Sequence, residues 1–390
     1  MTKIIRRNFQ WFITSNDQKP VLSDYGLKKF LLQGFDQELG WVRKPNTEHF
    51  EYGKYGRTIW RTNEKGSRLN PKFEDVKSKI SCYGDSFTFC RQVNDDETWE
   101  YYLSKITKTN VLNFGVGNYG MDQAILRLQR EFPKNQTEIV IIAVVPDSIR
   151  RILNVWKHYF EYGNTFGFKP RFIISNNKLE LIKNPIIDKE CFQNYSKFLP
   201  YIQKFDYFYK NKFCKELIKF PYFFHILKNP QRNITIIFWF FTAKIFQIFR
   251  NDSKFSWNVQ RTIMRINLKW RIKLFEDKSK NKLFIKITEH FVDLSKSLKF
   301  KPILLILPQK DDIIFIKKNY HFYEKTIETL EKIPRLDVID ATTTFLKIEN
   351  IDEMYSDNNE YGGHLSKEGN ELVASIVHDF FQTKKLLNNT

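Results

Sequence analysis

The stretch KISCYGDSFTF, residues 79–89, opens as a short apolar run and breaks at Gly84 into a polar turn. A run of four to eight largely apolar residues closed by glycine reads as a buried strand. Outward from it the alternation is regular: a helical stretch from Glu97 to Ile106, a strand NVLNF (110–114), a helix from Met121 to Arg130 and a strand EIVIIAVV (138–145). Short apolar strands separated by helices of about ten residues mark parallel βαβ units. The pattern stops near Arg171. It resumes with a helix over 284–298, the strand PILLIL (302–307), a helix over 315–332, the strand LDVID (336–340) and a C-terminal helix from Lys367. Five strands with covering helices predict an α/β fold, a three-layer α/β/α sandwich.

A chain of 390 residues is long for one ordinary domain, so an insertion or a second domain is expected. Residues 1–76 are turn-rich, with GKYGRTIWRTNEKGSRLNP (53–71) reading as short strands broken by Gly and Asn, and form an N-terminal extension packed on the core. Segments 77–175 and 284–390 make the core. Residues 176–283 interrupt it with a basic, aromatic and mainly helical insertion that contains ITIIFWFFTAKIFQIF (234–249). That run includes Lys244 and falls short of the roughly 20 residues needed to cross a bilayer. It reads as a buried or lid helix. The rival reading, given its Lys and Arg flanks, is a helix lying on a membrane surface, with peripheral contact through 220–250.

The chain carries 63 Lys and Arg against 44 Asp and Glu, a net charge of +19. The excess is not gathered into one arm and no nucleic-acid module accompanies it, so a nucleic-acid partner is not expected. Cys82, Cys90, Cys191 and Cys214 match no zinc spacing and read as reduced, packed thiols. The N-terminal MTKIIRRNFQWFITSNDQKP is basic but lacks an apolar run of signal-peptide length. A cytoplasmic location follows, with membrane association only through the insertion.

Gly84-Asp85-Ser86-Phe87 follows the first strand directly, so Ser86 is expected at the carboxyl end of a parallel strand, where open α/β sheets place their sites. A helix after it would add a positive dipole end. A serine nucleophile needs a base. His364 stands in Gly362-Gly363-His364-Leu365-Ser366, before a helix whose N-cap would be Ser366. Its two glycines let the loop approach another backbone closely. His49, His158, His225, His290, His321 and His378 lie in mixed or helical contexts that suit packed or solvent-facing roles. After the second strand, NFGVGNYG (113–120) has three glycines in six residues, which lets backbone amides turn inward as an oxyanion hole requires. GVGNYG also matches GxGxxG, but it closes the second strand, and the next ends in Val145-Pro146 with no acid, so no dinucleotide is expected. There is no GxSxG around Ser86. No His/Asp/Glu cluster lies near it at ligand spacing, so neither a metal nor a cofactor is invoked.

YGDSFTF (83–89), NFGVGNYGMDQA (113–124) and GGHLSKEGNELVA (362–374), in that order, resemble the motifs of the SGNH/GDSL hydrolase superfamily. The lead-in from LGWVRKPN (39–46) through TNEKGSR (62–68) resembles that of SGNH proteins in bacterial glycan-modification systems. The likeness covers about 36–150 and 285–382 and leaves the insertion outside. It implies a flavodoxin-like fold, Ser86 as nucleophile and His364 as general base. It places a backbone oxyanion donor in Gly115–Gly120, at Gly117 or Asn118, with Asp85 in the same binding group.

Two positions depart from the pattern. The family's oxyanion Asn after the third strand is Pro146 here, which has neither a side-chain donor nor an N–H. Loss of one such donor costs about 3 kcal/mol of transition-state stabilisation. Asn154 or an insertion residue is left to substitute. The triad acid, three residues before the histidine, is Tyr361; Asp357, ahead of Asp352, is the candidate that a folded-back loop could bring to the imidazole. A Ser-His dyad oriented by a carbonyl is the other arrangement. The resemblance implies a serine ester hydrolase or acyl-transferring enzyme acting on an O-acylated glycan or related ester. Its rivals are a catalytically inactive SGNH-like binding module and a membrane-associated O-acyltransferase component.

Overall fold

The strands form where the apolar runs place them. In the computed structural model, which describes residues 12–247, 252–359 and 361–386, the core runs in this order: β1 (Ser78–Gly84), α1 (Trp99–Thr107), β2 (Asn110–Asn113), α2 (Met121–Glu131), β3 (Ile139–Val144), α3 (Lys278–Leu298), β4 (Lys301–Ile306), α4 (Lys310–Lys318), α5 (Glu324–Leu330), β5 (Asp337–Asp340) and α6 (Lys367–Lys384). All five strands are parallel, in the order β2-β1-β3-β4-β5. Cys82 of β1 lies opposite Asn113 of β2 and Ile141 of β3. This is the flavodoxin-like doubly wound order, whose direction of winding reverses between β1 and β3 and opens a crevice at their carboxyl ends.

Every residue of β3 is buried because helices cover both faces. α1 packs on α6 at one side, and α3 packs on α2 and α5 at the other. The period of two along each strand sends Ile80 and Cys82, Ile139 and Ile141, Ile303 and Leu305 into one cluster, which Leu103, Val373 and Phe381 fill from α1 and α6. The single helix expected over 315–332 is two. Asn319 leaves helical geometry at φ −133°, ψ −103° and its side-chain amide donates to the Phe315 carbonyl, so α4 ends there. The helix expected at 284 begins earlier, at Lys278, because Asp277 accepts from the Ser279 and Lys280 amides.

Two compact units divide the described chain. One takes Val42–Ile152, Phe172–Leu181 and the chain from Arg271 on, and holds the sheet; the other takes the segment up to Trp41, Leu153–Arg171 and Ile182–Trp270. The stretch 1–76 is therefore shared between them, and the hairpin Glu48–Gly53/Gly56–Arg61 belongs with the sheet. The second unit is organised around Trp156, which stacks on Phe168, while the buried Asp206 carboxylate accepts from the Val155 and Trp156 amides. Residues 1–11 of the expected extension, and 248–250 of the expected apolar run and contact surface, lie outside the described residues. Among those described, no helix is long and apolar enough to cross a membrane. All four cysteines are free, Cys82 and Cys90 buried.

Candidate active site

β1 delivers Ser86 to the switch point because Gly84 lets the chain press against β3: a Cβ there would lie 1.9 Å from the Ala143 carbonyl oxygen. Thr88 then donates its hydroxyl to that oxygen at 2.8 Å. The Asp85 carboxylate accepts from the Phe87 amide (2.8 Å), the Val145 amide (3.2 Å) and Arg151 Nη1 (2.9 Å). Asp85 thus ties the Ser86 turn to the end of β3. Burial, opposed by Arg151, leaves its carboxyl raised above the usual range.

The helix expected from Glu97 forms as α1 from Trp99, and the chain between Ser86 and it is a run of turns ending in a short 3-10 turn, Asp95–Glu97. The Asp85 and Ser86 carbonyls accept from the Phe89 and Arg91 amides, and the later carbonyls of the turn are taken by side chains. Arg68, wholly buried, donates to the Phe89, Cys90 and Val93 carbonyls, and Asn113 Nδ2 donates to Thr88 O. Cys90 and Gln92 stand at φ +56° and +70°, which breaks any helix. Ser86 therefore has no helix N-terminus behind it.

The glycine loop packs directly on this turn. A Cβ on Gly115 would meet the Phe89 amide nitrogen at 2.3 Å, and one on Gly117 would sit 4.0 Å from Ser86 Cβ and 3.7 Å from Arg43 Nη2. Gly117 and Ser86 are thus neighbours, and Arg43 shares their space. Asn118, next in the loop, takes φ +66°. Arg43 is stacked on the rings of Trp60 and Phe89, 4.5 and 4.7 Å from their centroids, and its buried Nε has no partner among the described residues. Burial, with help from Arg91, lowers its guanidinium to about 10. Pro146 lines a small, mostly apolar space with Phe275, Phe284 and Tyr323.

His364 reaches this turn from the opposite end of the sequence. Its ring packs 5.2 Å from that of Phe87, the residue after Ser86. Nδ1 lies 2.8 Å from Gln92 Oε1, which also accepts from the His364 amide at 3.1 Å, while Gln92 Nε2 donates to Tyr52 O. An amide oxygen only accepts, so Nδ1 carries the proton and Nε2 keeps its lone pair. Burial, then Arg91 and Arg151, push the imidazole down to about 3. Asp357 comes close to the neighbouring residue: its Oδ2 sits 2.7 Å from where a Cβ on Gly363 would be. No hydrogen bond joins its carboxylate to the His364 ring among the described residues, and the ring nitrogen it was expected to hold is held by Gln92. Gly362 and Gly363 take φ +69° and +67°, as the close approach requires, and Ser366 caps α6 by accepting from the Gly369 amide.

Gln92 and Arg43 were not singled out from the sequence. Arg43 lies inside the lead-in LGWVRKPN; Gln92 belongs to no motif and is 272 residues from its partner. Among the described residues no group of three or more His, Cys, Asp or Glu could hold a metal ion. His158 lies in the other unit, its Nε2 against the Asp17 carbonyl.

Fold and site together define a doubly wound α/β protein with a serine and a histidine loop at its switch point. No family model and no curated protein matches the chain. Among solved structures it is similar to a lipase/acylhydrolase from Enterococcus faecalis (12% identity, 79% of this chain and 96% of that one, TM-score 0.38). It is also similar to the acetyl xylan esterase AlAXEase (11%, 77% and 98%, TM-score 0.38) and to a protein assigned to the G-D-S-L lipolytic family from Desulfitobacterium hafniense DCB-2 (13%, 78% and 99%, TM-score 0.35).

Proposed function

We propose that this protein is a serine ester hydrolase or acyl-transferring enzyme of the SGNH type, with Ser86 as nucleophile and His364 as general base. The observation that carries the reading is the contact between His364 Nδ1 and Gln92 Oε1, which leaves Nε2 as the acceptor a nucleophilic serine needs. A neutral imidazole, held so by burial and Arg91, is the base form at neutral pH. In the reaction Ser86 Oγ attacks the acyl carbon and gives its proton to Nε2. The alkoxide leaves with that proton, and water or a sugar hydroxyl then attacks the acyl-serine through the same base.

The oxyanion is assigned to the backbone of the Ser86 and Gly117–Asn118 segments, with the Arg43 guanidinium supplying the donor that Pro146 cannot. Gln92 takes the orienting role for which Asp357 was the sequence candidate. An O-acylated glycan or related ester is assigned as substrate from the likeness of the lead-in. A fluorophosphonate probe tests the core of the reading: the wild type takes one label and Ser86→Ala takes none. A folded wild type that takes no label assigns the chain to the inactive binding modules, the reading that Pro146 favours.

A further inference from the structure

We propose that the second unit carries a docking surface for an anionic lipid bilayer, built from the loop and two helices over 219–241; this does not depend on the reading of Ser86. Phe220, Tyr222, Phe223, Phe224 and Leu227 are all exposed, Phe220 by 83%. They lie on the chain leading into, and on, the helix Tyr222–Lys228, which packs against the helix Pro230–Gln247. On that second helix Ile234, Phe238 and Phe241 are exposed at spacings of four and three, one outward stripe. Its other side is apolar too: Ile236 and Trp239 pack with Phe12, Val259 and Ile263. The helix is thus satisfied inward and left with a second apolar face turned out. Soluble surfaces rarely carry such a concentration of large apolar groups without something to cover it.

Charge selects the occupant. Between Leu217 and Asn251 the sequence has Lys219, Lys228, Lys244 and Arg250 and not one Asp or Glu; a fifth cation, Arg232, is buried against Glu216 and does not contribute. Lys210, Lys215, Lys219 and Lys228, before and after the aromatic run in sequence, are exposed. Phenylalanine and tyrosine in a lysine collar match a headgroup boundary, where rings sink to the acyl level while ammonium groups stay at the phosphates. Among the described residues no helix is long and apolar enough to cross a membrane, and the proposed contact is in the plane of the surface.

Flotation of the full chain with vesicles of phosphatidylcholine alone, or with about three parts in ten of phosphatidylglycerol, tests the assignment. Binding to the anionic vesicles should exceed that to neutral ones by about tenfold and weaken several-fold in high salt. The triple variant Phe220→Ser, Phe223→Ser, Phe224→Ser should fall to the neutral-vesicle level with its near-UV circular dichroism unchanged. Lys219→Glu with Lys228→Glu gives an independent arm that leaves the rings in place and should cut binding to anionic vesicles alone. Equal flotation with both vesicle types, no flotation, or a triple variant that floats like the wild type overturns the proposal. So does a wild-type dimer in sedimentation velocity that the triple variant abolishes while no vesicle binding occurs.

Discussion

At Nδ1 of His364 a glutamine stands where an acid is expected, and the difference has a measurable sign. Gln92 accepts from Nδ1 without carrying a charge that would stabilise the imidazolium, so in the proposed mechanism it is a positioning residue. With the imidazole held down to about 3, the acid limb of kcat/KM should lie below about pH 5 and not near 6.5. Gln92→Glu places a carboxylate against Nδ1, favours the protonated ring, and should move that limb upward; Gln92→Ala should lower kcat by about ten- to a hundredfold with KM little changed. A pH profile that none of these changes displaces would remove the role. The same shift has a cost in stability. The folded ring resists protonation that the unfolded one accepts, so stability from this group is intact above pH 6.5 and declines as pH falls from there toward 3. Ser86 and His364 are the sequence's candidates because each sits in a contiguous motif. Gln92 is not one, because a glutamine in a turn is unremarkable until a distant loop is folded onto it.

The elements around the site show the same division. The strands and α6 could be read from apolar periodicity and the Ser366 cap, since both are local. The turn after Ser86 could not: its carbonyls from Thr88 on are drawn off by Arg68 and Asn113, which come from other segments. The loop before α6 depends equally on contact. Gly363 at φ +67° has Asp357 Oδ2 and Gln92 Oε1 at 2.7 and 2.9 Å from the space of a Cβ. Gly363→Ala should therefore cost about 1–3 kcal/mol in urea denaturation and also displace the Gln92 amide, lowering kcat. Normal kcat in a destabilised variant would separate the loop from the orientation of His364.

Across the sheet unit, a buried ion network links the helices to the site. Arg271 pairs with Asp311, Asp312 and Asp147; Asp147 also holds Arg150 and Arg151, and Arg151 reaches Asp85 beneath Ser86. Burial raises the Asp147 carboxyl, but Arg150, Arg271 and Arg151 outweigh it and keep the group well below the carboxylate range. Burial pushes Asp312 up to about 7 even with Arg271 beside it. Arg271→Leu leaves three buried carboxylates without their shared cation and should cost about 3–5 kcal/mol at pH 7, read from the urea midpoint. The deficit should narrow as pH falls toward 5, because the stranded carboxylates then take up protons. A variant as stable as the wild type at pH 7 would show that the network contributes nothing net. By itself the sequence determined the parallel α/β core and the two loops that carry Ser86 and His364, because strand periodicity, turn residues and caps act over a few neighbours. Only the tertiary structure decided that Gln92 faces the histidine, that Arg43 comes beside Gly117, and that a run of turns separates Ser86 from α1. Those outcomes rest on contacts between residues far apart in the chain, where close packing and the need to satisfy every buried polar group choose the partner.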